Sequence, residues 1–317
     1  MQLLPFANPG RFYKGNLHIH STRSDGTMTP TDVIEAYRSR GYDFVSLTDH
    51  FRPETYFRKD APVTSFITIS DTRDVRTDGF TTILGAELHG PAMENGEIWH
   101  LVANGLPLDF MELQEGETGI EVARRAVEAG AYIALAHPAW NSVSLTDALH
   151  IAPFIDAVEI YNYACSVGIN RGDGWYMLDL LSQSGHRFNA NAADDAHFKV
   201  PGIVDGFGGW VQVKSESLDP EALLTALKAG AYYSSTGVEI NDIRVEGNTV
   251  IVESSPAATI FLSGHGALYR REIGDGIVRA ELDLEPYRKH GWFRVTVIAA
   301  DGTKAWTNPI WLDTTLP

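Results

Sequence analysis

Two imidazoles spaced one residue apart open the chemically informative part of the chain. His18-Ile19-His20 closes the strand-like run GNLHIH. Residues i and i+2 of a strand share a face, so both rings can reach one metal ion. Alone the pair decides little, because a buried histidine serves as readily as a hydrogen-bonded core residue. Further acids and imidazoles follow at the ends of apolar runs. Asp25 stands in the next loop beside Gly26, FVSLTDH ends in Asp49-His50, and TTILGAELH ends in Glu87 with His89 two further on. His100 lies inside EIWHLVANGL, His137 ends AYIALAH, and Asp195 and His197 end FNANAADDAH, again two apart. Nine residues are therefore candidate metal ligands: His18, His20, Asp25, His50, Glu87, His100, His137, Asp195 and His197. Imidazole with carboxylate suits zinc, iron or manganese, and no thiolate pair is present to select zinc. Divalent ions so held do hydrolytic chemistry: they bring the pKa of a water near neutrality and hold oxygens on which charge builds.

The elements that must position these groups are also visible. A helix-like segment, a glycine and a short apolar run recur four times, with the glycines at Gly41, Gly130, Gly185 and Gly230. Glycine takes the left-handed position after a helix at little cost. Thr29-Pro30 and Asp219-Pro220 read as helix starts, an N-cap side chain followed by proline in the first turn. Helices alternating with buried apolar strands predict a parallel sheet covered by helices, and barrels of that kind gather ligands at the C-terminal strand ends. After about Thr236 the pattern changes to alternating strands with turns at Gly247-Asn248 and Asp301-Gly302, which are hairpin signals. The reading is two domains, residues 1–236 and a small antiparallel β domain over 237–317.

Composition bounds the function. The chain has 317 residues, 44% hydrophobic and 21% charged, enough for a full core, and a net charge of −16. Such an acidic chain without a Lys/Arg run is a poor sequence-specific nucleic-acid binder. The single Cys165 excludes an intrachain disulfide, so nothing asks for an oxidising compartment. No apolar run has signal-peptide or membrane-span length, so the expectation is a soluble, cytoplasmic protein with no membrane partner. Composition does not fix the oligomeric state.

The motifs NLHIHSTRSDG, VSLTDH, GAELH, His100, AHP and DAH resemble, in order, spacing and residue type, those of the PHP (polymerase and histidinol phosphatase) metallohydrolases, over roughly residues 14–200. The segment GGWVQVKSESLDPEALLTALKAGAYYSSTGVEI, with the β extension after it, is similar to the CehA/McbA-type branch. The resemblance implies an α/β fold, a distorted (β/α)7 TIM-like barrel, and three divalent ions, zinc, iron or manganese. One would take His18, His20, Glu87 and Asp195, a second Glu87 as bridge with His100 and His137, and a third Asp25, His50 and His197. Glu87, Asp195 and His197 are then the expected catalytic residues. The implied activity is metal-dependent hydrolysis of a small phosphoester, such as a nucleotide or sugar phosphate. Hydrolysis of a carbamate or carboxylic ester is the alternative, and a non-catalytic metal-binding module a third reading. Clustered Arg or Lys beside the metals would favour phosphate, and an aromatic pocket near Trp99, Trp140 and Trp175 an ester.

Arg23, Arg52 and Arg171 lie in loops near the motifs and are the expected phosphate clamps. Asp49 fits an orienting or a loop role, and Asp194 competes with Asp195, which strand alternation favours. His89 reads as packing near the site or as a proton donor. Glu159 and Asn162 follow another strand, and either a pocket or a structural role fits them. Cys165 reads as structural.

Overall fold

The computed structural model describes residues 1–52, 66, 68–91 and 93–315. Its first half runs β1 (Arg11–Asn16), α1 (Pro30–Arg38), β2 (Phe44–Leu47), β3 (His50–Phe51), β4 (Thr81–Gly90), β5 (Trp99–Asn104), α2 (Gly119–Glu128), β6 (Tyr132–Leu135), α3 (Leu145–Ile151), β7 (Ala157–Asn162), α4 (Tyr163–Ile169), α5 (Trp175–Gln183) and β8 (Asn189–Ala193). Then come β9 (Trp210–Ser215), α6 (Pro220–Lys228) and β10 (Tyr232–Ser235). The remaining strands are β11 (Ile240–Glu246), β12 (Thr249–Ser263), β13 (Tyr269–Asp283), β14 (Trp292–Ile298), β15 (Lys304–Thr307) and β16 (Ile310–Trp311), with α7 (Glu285–Arg288) before β14. No described helix is long and apolar enough to cross a membrane.

The caps read from sequence are in place. The Thr29 and Asp219 side chains accept from the Asp32 and Glu221 backbone N–H groups, with proline in the first turn of α1 and α6. Thr118 and Glu121 form a reciprocal capping box on α2, which satisfies otherwise orphaned N–H donors. Gly130 and Gly230, after α2 and α6, have φ of 88° and 68°.

The strands form one mixed sheet in the order β11-β12-β14-β15-β10-β9-β1-β2-β4-β5-β6-β7-β8, with β3 beside β4 and β13 beside β12. Two features depart from the parallel barrel expected. First, β5 runs antiparallel to both β4 and β6. The loop from Gly90 to Trp99 is too short for a crossover helix, so the chain must return antiparallel. That reversal explains His100: the mouth of the site takes the start of β5, where His100 pairs with His89.

Second, the sheet is not closed. β9 runs antiparallel to β1 and β10 antiparallel to β9, and the far edge of β10 is taken by β15, leaving β8 no ladder to join. Side chains span the seam instead. Ser234 Oγ donates to Ala190 O and accepts from Ala192 N–H, both at 2.8 Å, and Asn308 Oδ1 accepts from Ala190 N–H at 2.7 Å. Nearer the mouth, Asp195 N–H donates to His18 O at 2.8 Å and His20 N–H to Ala196 O at 3.0 Å.

Leu88, Leu101, Ile133, Leu135 and Val158 pack outward against Val122, Ala126, Ala148, Ile151, Leu178 and Leu181 of α2, α3 and α5. Leu17, Phe44, Ile83, Val102, Tyr132 and Val213 form a second core. Each such side chain contributes about 1.5–3 kcal/mol of burial, a rigid base for the residues above it. The hairpins after Thr236 form as read, with Glu246 opposite Thr249 and Ile298 opposite Lys304. Their core (Ile243, Val252, Ile260, Val295, Val297) also takes in Leu3 and Phe6 from the opposite end of the chain.

Candidate metal centre

The nine candidate ligands meet at one end of the sheet. The β1 ladder ends at Asn16, and His18 and His20 lie on the extended segment beyond it, held by the single bridge between Ile19 and Ala196. Both rings turn to Asp195: His18 Nε2 is 3.2 Å and His20 Nε2 2.9 Å from its Oδ1. Glu87, on β4, stands at the centre. Its Oε1 is 2.7 Å from His100 Nδ1 and 3.3 Å from His137 Nε2. Its Oε2 is 2.6 Å from His50 Nδ1, with His20 and His18 Nε2 at 3.6 and 3.7 Å. Asp25 Oδ1 lies 3.2 Å from both His50 Nε2 and His197 Nε2. Gly26 lets this loop lie so close, because a Cβ there would sit 2.8 Å from His20 O. His137 and Asp195 hold positive φ, 23° and 58°, and non-glycine residues so held gather at functional sites.

Four groups of donor atoms fall within 4.8 Å of one another: His20, Asp25, His50 and His197; His18, His20 and Asp195; His18, Glu87 and His137; and His50, Glu87 and His89. His18 Nε2, His20 Nε2, Asp25 Oδ1 and Glu87 Oε2 are buried and make no hydrogen bond. Buried polar atoms without partners are costly. Here each of the four residues belongs to at least one of these donor groups, so the donor set fits divalent cations.

The electrostatics agree. Burial opposes charge throughout, yet His50, His89 and His100 hold Glu87, and His18, His20 and His197 hold Asp195, well below the usual carboxylate range. Burial, with His197 and His50 alongside, lowers His20 to about 3. Burial beside His100 lowers His89 too. The carboxylates are thus anionic and these imidazoles neutral, the forms that bind metal.

The remaining candidates separate by position. Asp49 accepts from Ser21 N–H and from the Ser21, Ser24 and Ser70 hydroxyls, so it ties down the loop that carries Asp25. Asp194 accepts from Asn16, Tyr37 OH and the N–H groups of Phe207, Gly208 and Gly209, away from the cluster. Glu159 and Asn162 lie against it: Glu159 Oε1 accepts from His18 Nδ1 at 2.7 Å, and Asn162 donates to Glu159 and Asp195 at 3.1 and 3.2 Å. His89 belongs to the cluster rather than merely packing near it, with Nε2 2.8 Å from His50 Nδ1. The buried Cys165 thiol, pushed well up by burial, is no nucleophile.

Over the cluster opens a cavity of about 410 Å³, whose lining includes the cations Arg52 and Lys199 and the apolar Trp140, Ile169 and Val200. Of the three expected clamps, Arg52 lines it. Arg23 is exposed elsewhere, and Arg171 donates to Trp140 O at 3.3 Å without lining the cavity. Loop residues carry no periodic signal that would have sorted these three. Of the tryptophans, Trp140 lines the cavity and packs on His100 and His137. Trp99 is buried against Gly119, and Trp175 packs on Arg294 and Trp306.

Two pocket residues went unread in the sequence. Lys199 pairs with Asp25 Oδ2, and Asp205 accepts from the His197 and Phe198 N–H groups at 3.0 and 2.8 Å, fixing the loop that bears both His197 and Lys199. Lys199 lies two residues past His197, so the DAH motif does point to it.

The sequence matches no family model and no curated protein. Among solved structures, the chain is similar to a two-domain protein from Bacteroides vulgatus described as containing a predicted PHP-like metal-dependent phosphoesterase. That likeness covers 96% of this chain and 98% of the other at 16% identity, with a TM-score of 0.54. A metal-dependent phosphoesterase candidate from Bifidobacterium adolescentis matches over 60% of this chain and 90% of its own, at 15% identity and TM-score 0.40. An amidohydrolase from Chromobacterium violaceum, solved with sulfate, matches over 59% and 88%, at 16% identity and TM-score 0.42. Over nearly its whole length, then, the chain shares the fold of that Bacteroides vulgatus protein.

Proposed function

We propose that the chain is a metal-dependent hydrolase of small phosphoesters. One observation carries the reading: two anionic carboxylates, Glu87 and Asp195, buried among imidazoles, of which His18 and His20 leave Nε2 without a hydrogen bond. In this reading His18, His20, Glu87 and Asp195 hold one ion, Glu87 with His100 and His137 a second, and Asp25, His50 and His197 a third, each zinc, iron or manganese. Bound there, the ions supply Lewis acidity and a water that ionises near neutral pH. The chain's own residues do the rest. Arg52 and Lys199 draw the phosphoryl group to the cavity floor, offsetting the acidity of the protein as a whole. Asp49 and Asp205 fix the loops that present Asp25 and His197. Residues 1–236 act as the hydrolase unit, with 237–317 built onto it through β10 and β15.

A second reading, hydrolysis of a carbamate or carboxylic ester, draws on the apolar lining of the cavity at Trp140, Ile169 and Val200. The two cations in the same lining favour phosphate. The test is a panel of phosphomonoesters, phosphodiesters, carboxylic esters and carbamates, assayed with the metal-loaded protein. Turnover confined to phosphoesters is expected. Turnover confined to uncharged esters would reverse the ranking.

A further inference from the structure

We propose that Glu159 is a positioning residue that selects the ligating nitrogen of His18 and locks the donors on both sides of the open seam into one frame, an inference that rests on the metal-dependent reading above. Glu159 is fully buried on β7 and each of its oxygens is engaged. Oε1 lies 2.7 Å from His18 Nδ1. A carboxylate can only accept there, so Nδ1 carries a proton, and in the neutral ring that binds metal the lone pair is left on Nε2. Nε2 is the atom that faces Asp195 and Glu87 and has no hydrogen-bond partner.

The second oxygen ties in the other side. Oε2 accepts from the backbone N–H of His137 at 2.9 Å, where φ is positive, and from Asn162 Nδ2 at 3.1 Å. The same Asn162 nitrogen lies 3.2 Å from Asp195 Oδ2, and Asn162 Oδ1 caps α4 through Cys165 N–H. One carboxylate thus joins His18 beyond β1, His137 beyond β6 and, through Asn162, Asp195 beyond β8. β1 and β8 lie on opposite sides of the seam that no ladder closes. The backbone pairs across this seam at the Ile19–Ala196 bridge and its two flanking hydrogen bonds, and the Glu159 carboxylate adds a side-chain tie to them. A carboxylate behind a metal-bound imidazole commonly contributes 10- to 100-fold in metal affinity.

The experiment titrates Zn²⁺ into chelator-stripped full-length wild type, Glu159→Gln and Glu159→Asp, and records imidazole ¹⁵N spectra of the zinc-loaded proteins. Glu159→Gln keeps one acceptor but turns an amide donor toward a donor partner. It is expected to bind zinc about 10- to 100-fold more weakly, to lose the slowly exchanging His18 Nδ1–H signal, and to stay folded with a lowered melting temperature when metal-free. Glu159→Asp is expected to recover part of the affinity. Zinc affinity equal to wild type in Glu159→Gln, or a wild-type His18 bound through Nδ1, would overturn the inference while leaving the metal-dependent reading intact. A wild type that takes up no zinc would overturn both.

Discussion

Asp194 and Asp195 are neighbours in the chain whose carboxylates serve opposite ends of the fold's logic. Asp195 Oδ1 faces His18 and His20 Nε2. Asp194 turns to Tyr37 OH, Asn16 and three consecutive backbone N–H groups. Burial raises Asp194 to about 7 even against the hydrogen bonds it accepts, which pull it down. Asp194→Asn puts an amide donor against N–H donors and is expected to cost about 2–4 kcal/mol of stability. Asp195→Asn is expected to lower metal uptake clearly while the metal-free protein stays folded, because Asp195 faces the imidazoles of the cluster and not a set of backbone N–H groups. Thermal melts of both variants, with and without added metal, check the contrast.

Lys199 and Arg52 are expected to act on phosphate and not on the rest of the substrate. Lys199→Ala and Arg52→Ala should each lower kcat/KM for a phosphoester about 10- to 100-fold, the worth of one charge-assisted hydrogen bond. Hydrolysis of any uncharged ester should be nearly unchanged. Equal losses on both substrate types would assign these side chains to the architecture of the pocket.

The metal-free protein should lose stability as the medium turns alkaline. Burial disfavours charge on His50, but Glu87 and Asp25 outweigh it and raise the ring to about 9. The same balance raises His18, through Asp195 and Glu159, and His137, through Glu87 and Asp195. A raised imidazole stabilises the fold fully below its unfolded value near 6.5 and loses that contribution as pH climbs through the folded value. The melting temperature of chelator-treated protein should therefore fall between about pH 6.5 and 9. Metal should flatten this slope, because ligation takes the place of the proton. Melts across pH with and without zinc test it.

Leu3→Ala should destabilise by about 2–5 kcal/mol, as for a buried leucine. Leu3 is 1% exposed, and its N–H donates to Ile243 O. Denaturant unfolding checks the magnitude, and limited proteolysis should place the new cleavages in residues 237–317.

Much of this could be read before any coordinates. His18 and His20 share a face because they are two apart, and Asp195 with His197 follow the same rule. Helix ends announce themselves at Thr29-Pro30 and Asp219-Pro220 because capping is local chemistry. What could not be read is set by pairing between distant segments. The short loop after His89 calls for an antiparallel return, but that β5 also runs antiparallel to β6 is decided by a partner distant in the chain. Nothing in YYSS or TNPIW says that Ser234 and Asn308 bridge a seam, so a closed barrel is the natural expectation and an open sheet the outcome. The same holds for Trp99 and Trp175, whose burial depends on partners at Gly119 and Trp306.

Elemental analysis of the purified protein, beside His20→Ala and Asp195→Asn prepared identically, bears most directly on the role given to the cluster. Wild type should carry more than one divalent ion of zinc, iron or manganese per chain, and both variants should carry clearly less while remaining folded. Wild-type protein that holds no stoichiometric metal, and whose melting temperature does not move when zinc or manganese is added, would contradict the account.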